Sequence, residues 1–202
     1  MARTIDFYFD FLSPYAYLAH HRLPRIAARH GCEIAYHPID LQAAKIAVGN
    51  TAPASREMPM KHRYLRTDLK RWADHYGVPF QPPAGYGSQR LNCGAFYAID
   101  RGVAEQYVNC AWHEVWGRGG AMDDTALLRR VAAAIDWNVD DFLAYAASGK
   151  ATARLNASNT VAFEHGVFGV PTMLVDDQLW WGNDRLEFLE KYLVESANEQ
   201  KA

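Results

Sequence analysis

The run Asp6-Phe7-Tyr8-Phe9-Asp10-Phe11-Leu12-Ser13-Pro14-Tyr15 constrains the fold of this chain more than any other stretch. An aromatic-rich segment has strand character, and a Ser-Pro pair behind it opens a helix. Serine is a preferred N-cap, and proline suits the first helical position, where its missing N–H would have had no partner. The Ser13 hydroxyl is thereby set beside free backbone N–H groups at the positive end of a helix, which suits an anion. The pattern predicts a strand over 4–11, a helix over 14–30 closed by Gly31, and a second strand over 33–40 whose last residues leave the ladder at Pro38. A βαβ unit of this kind has parallel strands.

The middle of the chain changes character. Helical patterns run over 61–76, 92–101, 103–118, 124–135, 139–149 and 151–165, with Asp123 or Asp124 and Asn138 as caps. Gly and Pro clusters at 77–79, 82–88 and 117–120 separate them. Strand character returns at Thr172-Met173-Leu174-Val175 and Gln178-Leu179-Trp180-Trp181, joined by Asp176-Asp177 as a hairpin turn. Asn183 is expected to cap a final amphipathic helix with Leu186, Leu189 and Leu193 on one face. The order is βαβ, a helical block, then ββα.

Composition excludes several functions. With 21 Lys plus Arg against 23 Asp plus Glu, and no basic run, the field expected of a nucleic-acid binder is missing. Apolar runs fall far short of the ~20 residues that span a bilayer, and no leader pattern precedes the first strand. The 3 cysteines, Cys32, Cys93 and Cys110, are far apart and odd in number, as expected of reduced thiols in a cytoplasmic protein. His113-Glu114 starts like a zinc-protease motif, but Gly117 stands where a second histidine is needed, and no His/Cys cluster has metal spacing. No G-x-S-x-G elbow accompanies Ser13, which argues against a serine hydrolase. Asp6 and Asp10 share one side of the first strand and are read as strand-end polar residues.

Three motifs carry a family resemblance that covers nearly the whole chain: Phe9-Asp10-Phe11-Leu12-Ser13-Pro14-Tyr15-Ala16-Tyr17-Leu18, Phe168-Gly169-Val170-Pro171-Thr172 and Trp180-Trp181-Gly182-Asn183-Asp184-Arg185-Leu186. They resemble the 2-hydroxychromene-2-carboxylate isomerases, of the kappa-class glutathione transferases. The resemblance implies an α/β thioredoxin-like fold, DsbA-like, with residues 1–55 and 166–202 forming the thioredoxin-like domain and 56–165 an inserted helical domain. It also implies a cytoplasmic homodimer that interconverts 2-hydroxychromene-2-carboxylate and trans-o-hydroxybenzylidenepyruvate in naphthalene or polycyclic aromatic degradation, with glutathione as cofactor.

The residues make chemical sense beside that resemblance. Redox members of the superfamily open the first helix with Cys-x-x-Cys, whose thiol is acidified by the helix N-terminus. Here the positions are Ser13-Pro14-Tyr15-Ala16, so disulfide exchange is excluded at this turn. A serine hydroxyl can still hydrogen-bond an external thiolate. At about 1.5–3 kcal/mol for a charged hydrogen bond and about 0.3–1 kcal/mol for the helix end, a bound thiol would shift by roughly one to three units, toward neutrality. The resemblance makes that thiol glutathione and Ser13 the catalytic residue. It implies a cis bond at Val170-Pro171, with Val170 pairing to the cysteinyl backbone. Free N–H groups at Gly182-Asn183 suit the γ-glutamyl carboxylate and Asp184 its ammonium, with Trp181 as a wall and Trp180 in the core. Lys45 is expected to hold the substrate carboxylate, with Ser55, Arg56 and Tyr86 lining the substrate side. Ser55-Arg56 stands where the family shows Asn-Arg.

Two other readings fit the same residues. A kappa-type transferase would use the same thiol site but release a stable conjugate. A non-catalytic thiol-peptide binder on a decayed redox fold is permitted by Ser13 alone, although Trp181–Asp184 and Lys45 argue against it.

Overall fold

The computed structural model describes residues 2–53 and 57–199. β1 (Arg3–Phe9) and β2 (Cys32–Pro38) flank helix α1 (Pro14–Arg29) and pair in parallel from Arg3↔Cys32 to Phe9↔Pro38. Pro38 forms the last rung, where a missing N–H is tolerated because β2 is an edge strand of the β2-β1-β3-β4 sheet. β3 (Thr172–Val175) runs antiparallel to β1, and β4 (Gln178–Trp181) antiparallel to β3. The hairpin between them turns at Asp176 and Asp177, with φ of 47° and 63°, the positive values a two-residue hairpin needs.

Six helices lie between the two halves of the sheet among the described residues, apart from the short α2 (Leu41–Ala47) that follows β2: α3 (Pro59–Tyr76), α4 (Gln89–Ile99), α5 (Ala104–Trp112), α6 (Thr125–Ala133), α7 (Val139–Ala146) and α8 (Gly149–Glu164). The fold is the DsbA-like thioredoxin architecture. Asp124 and Asn138 cap α6 and α7 as their sequence suggests. Two segments differ from expectation. The 40–47 stretch folds into α2, because Asp40 accepts hydrogen bonds from the Gln42 and Ala43 N–H groups. The helix expected over 103–118 is not uniform: after Trp112 it widens into a π-helical turn, His113–Gly117.

The end of the chain also differs. Gly182, at φ 112°, opens a 3-10 turn, Asn183–Arg185, ahead of α9 (Leu186–Glu199). A Cβ at Gly182 would meet Asp184 Oδ1 at 2.5 Å, so this position requires glycine. Asn183 does not cap the helix; its side chain is buried and donates to the Tyr76 hydroxyl at 3.4 Å.

The core on the α1 side of the sheet is aromatic. Phe7, Phe9, Phe11 and Trp112 stack there against Tyr36 and His20. Burial drives the His20 imidazole down to about 3, and its Nε2 lies 2.9 Å from the Tyr36 hydroxyl. Trp180 is half-buried on the rim of this core, packed on Tyr192. No helix among the described residues is long and apolar enough to cross a membrane.

Candidate active site

A cavity of about 500 Å³ opens where the N-terminus of α1 meets α2, α3 and the 168–170 loop. Its volume lies in the ~300–1,000 Å³ range of small-molecule sites. Ser13 is on its wall yet only 4% exposed. Its Oγ accepts from the Ala16 N–H at 3.2 Å and donates to the Val170 carbonyl at 3.4 Å. The second contact is long for an O–H···O bond, so the hydroxyl proton is available to a stronger acceptor. Tyr17 N–H is taken by the Ser13 carbonyl and Pro14 has none, which leaves the Tyr15 N–H as the open donor of the first turn among the described residues.

Val170 stands across from Ser13 on the same cavity, and the Val170–Pro171 bond is cis, as expected. The Pro171 carbonyl accepts from the Gly182 N–H at 2.9 Å, which ties this loop to the end of β4. Trp181 lines the cavity, 52% exposed, with its ring edge-on to Phe168 at 4.9 Å. Gly169 lets it lie there, since a Cβ at 169 would meet Trp181 Nε1 at 2.8 Å. Gly182, Asn183 and Asp184 do not line the cavity. Asp184 is half-exposed, paired with Arg185 at 2.8 Å and felt by the phenol of Tyr15, which does line the cavity. The Tyr15 hydroxyl itself donates to Asp68 at 2.7 Å, which fastens α3 to the start of α1.

The cavity also carries basic side chains. Lys45 reaches it from α2, and His62 and Arg66 from successive turns of α3, while no carboxylate of the described residues lines it. Tyr86 lines it too, 42% exposed. Ser55 and Arg56 lie outside the described residues. Sequence reading missed His62 and Arg66; their i, i+4 spacing on a helix facing the site was the available signal. It also missed the inner wall, where Phe80 and Trp116 stack with ring planes 5° apart at 5.7 Å. Trp116 is delivered by the π-helical turn and anchored by its Nε1–H, which donates to the Phe11 carbonyl at 2.8 Å.

Beneath this floor Asp10 is 1% exposed. Its carboxylate accepts from the Leu12 and Leu41 N–H groups and from Asn92 Nδ2, each at 2.9 Å. Burial raises its pKa, while these donors and the Ser88 hydroxyl oppose the rise. Asp10, directly after the end of β1, is therefore a buried, hydrogen-bonded group that ties the Leu12 turn to the start of α2 and to Asn92. Asp6, by contrast, pairs with His37 at 2.7 Å away from the cavity. Cys32, Cys93 and Cys110 are free thiols, none of them on the cavity wall.

The arrangement combines a hydroxyl and a free N–H at a helix end, the backbone at Val170, an aromatic wall, the Lys45 and Arg66 cations and the His62 imidazole. It suits a thiol-bearing peptide on one side and a flat organic anion on the other. The DSBA-like thioredoxin domain pattern matches residues 4–194. The chain is 45% identical over 195 residues to the 2-hydroxychromene-2-carboxylate isomerase of Sphingobium xenophagum, covering 96% of this chain and 100% of that protein. It is 24% identical over 209 residues to glutathione S-transferase kappa 2 of Caenorhabditis elegans, covering 96% and 92%. A solved structure of a 2-hydroxychromene-2-carboxylate isomerase superposes with a TM-score of 0.94 at 42% identity, covering 98% of each chain.

Proposed function

This chain belongs to the 2-hydroxychromene-2-carboxylate isomerase family of DsbA-like thioredoxin proteins, and from that premise we propose that it is a glutathione-dependent isomerase. Its substrate pair is 2-hydroxychromene-2-carboxylate and trans-o-hydroxybenzylidenepyruvate, in the breakdown of naphthalene or related polycyclic aromatics. The observation that carries this reading is one cavity bordered by both Ser13 and Lys45. A thiol site and a carboxylate anchor on the same wall-to-wall space bring a nucleophile to a conjugated acid.

The residues present fit glutathione. Val170 offers its backbone beside the cis bond to the cysteinyl residue, Trp181 a flat wall, and Asp184, exposed three residues on, a partner for the γ-glutamyl ammonium. The Gly182 N–H is taken by the Pro171 carbonyl and the buried Asn183 side chain is engaged with Tyr76, so at this turn recognition of the γ-glutamyl carboxylate falls to the Asn183 backbone N–H. Bound there, glutathione would supply a thiolate able to add reversibly to the conjugated carbon of the ring-opened acid, the displaced electron pair going to its carbonyl and returning as the thiolate leaves, which would permit rotation about the former double bond. Ser13 turns its hydroxyl from the 3.4 Å contact with Val170 toward the sulfur and, with the Tyr15 N–H, favours the anionic form. Lys45 holds the substrate carboxylate and Tyr86 borders the substrate. The flat Phe80–Trp116 pair gives the ring system an apolar surface.

The reading includes a cytoplasmic homodimer. The test is an absorbance assay with the hydroxychromene acid, with and without glutathione. Equilibration only in its presence, with glutathione recovered unchanged, supports the reading. Stable conjugates of neutral electrophiles, without isomerisation of the acid, would make the protein a kappa-type transferase. Binding without turnover of either would make it a thiol-peptide binder.

A further inference from the structure

Asp10 takes no part in the chemistry above, yet its two oxygens hold the backbone of two cavity-lining residues, Leu12 and Leu41, and the side chain of Asn92. Oδ1 accepts from the Leu12 N–H and from Asn92 Nδ2, each at 2.9 Å, and Oδ2 accepts from the Leu41 N–H at 2.9 Å. Leu12 precedes Ser13. Leu41 is the first residue of α2, which carries Lys45 one turn later. Asn92 lies on α4, behind the loop of Tyr86, and it repeats the bridging: its Oδ1 accepts from the Phe11 N–H at 3.2 Å and its Nδ2 donates to the Ile39 carbonyl at 3.1 Å. A carboxylate has two oxygens in one rigid plane. Donors held on its opposite sides are therefore held at a set separation.

We propose that Asp10 is a positioning residue that sets the register between the thiol site at Ser13 and the carboxylate anchor at Lys45. This rests on the isomerase reading, which needs both ligands in one cavity. Oδ1 serves the Ser13 side and Oδ2 serves the α2 side, so the two sides can be separated by substitution. In Asp10→Asn the amide oxygen keeps the doubly donated Oδ1 position. The NH2 group then faces the Leu41 N–H, two donors meet, and only the α2 side is released.

The experiment measures substrate KM by the absorbance assay and glutathione affinity by calorimetry on the full chain. Asp10→Asn is expected to raise the KM for the hydroxychromene acid about fivefold, as much as removing Lys45, because releasing α2 displaces that one exposed anchor. Glutathione affinity is expected to stay within about twofold of wild type, since the Oδ1 bonds persist. Lys45→Ala in the Asp10→Asn background should add nothing further, because both act on one anchor. Parallel loss of glutathione affinity, or full additivity with Lys45→Ala, overturns the proposal. If Asp10→Asn does not fold, Leu41→Pro asks the same question. It removes the N–H at a first helical position, where proline is tolerated, and Asp40 before it is already extended at φ −89° and ψ 109°. The same rise in KM with glutathione affinity intact supports the proposal, and joint loss overturns it. A wild-type protein that does not isomerise the acid refutes the isomerase reading itself, and the proposal falls with it.

Discussion

Asp10 and Ser13 stand three residues apart on one turn, both buried, and they differ in how completely their hydrogen bonds are used. The Asp10 carboxylate is closed: backbone and side-chain donors hold it at 2.9 Å on both oxygens. Ser13 is open: it accepts one N–H at 3.2 Å and its proton has only a 3.4 Å contact. A saturated buried group contributes to the fold, because removing it strands its partners in a dry interior. An unsaturated one at a cavity wall has bonding capacity left for a ligand. The comparison teaches that removing a closed group outright should be read out first as stability, and removing an open one as activity.

The largest expected effect follows from the closed group. Asp10→Ala leaves the Leu12 and Leu41 N–H groups and Asn92 without their acceptor, at about 1–3 kcal/mol each, so a loss of about 4 kcal/mol is expected in urea unfolding. A loss under about 1 kcal/mol would show that these donors find other partners and that the comparison is wrong.

His20 is a second closed group, buried against Tyr36, with its folded pKa near 3. The unfolded imidazole titrates at about 6.5, so the unfolded chain binds the extra proton as pH falls. Its contribution is fully present above about 6.5 and is lost toward about 3, on the order of 3 kcal/mol between pH 7 and 4. Stability measured against pH should be correspondingly flatter in His20→Gln. An identical slope in the two proteins would exclude His20 as the cause.

Opening the comparison from the other side, Ser13→Ala is expected to cost about 100-fold in turnover, close to 2.7 kcal/mol, but only about 1 kcal/mol in stability as a lost cap. A spectroscopic titration of bound glutathione checks the cause: an unchanged thiol pKa in the variant would falsify the role given to Ser13. Ser13→Cys should not reduce protein disulfides efficiently, as an insulin-reduction assay can show, because Ala16 offers no resolving thiol.

The smallest effect is expected at Lys45, an open cation on the half-buried face of α2. Lys45→Ala should raise the KM for the carboxylated substrate about fivefold, near 1 kcal/mol, with glutathione affinity unchanged. Kinetics with both ligands varied distinguish this from a lysine that serves glutathione.

Much of the fold was legible in the chain because its signals are local. The Ser-Pro cap, the Gly31 stop, the capping Asp124 and Asn138 and the Asp176-Asp177 hairpin each depend on the dihedrals and hydrogen bonds of a few adjacent residues. The site was partly legible for the same reason, since Ser13, Val170 and Trp181 sit in compact motifs at element ends. Asn183 was misread because its environment is remote: Tyr76, from α3, takes the amide that a local reading assigns to a cap.

The sequence by itself determined the order of elements, the helix end that can hold an anion and the absence of a redox pair at Ser13–Ala16. Tertiary structure alone decided which distant groups close the cavity. His62 and Arg66 face it only because Tyr15 fastens α3 through Asp68, and Trp116 becomes its inner wall only because its indole N–H reaches Phe11. Asp10 joins the loops at Leu12, Leu41 and Asn92 for the same reason. Local patterning sets dihedrals and faces, whereas a buried donor finds its acceptor only after chain segments far apart in sequence have packed together.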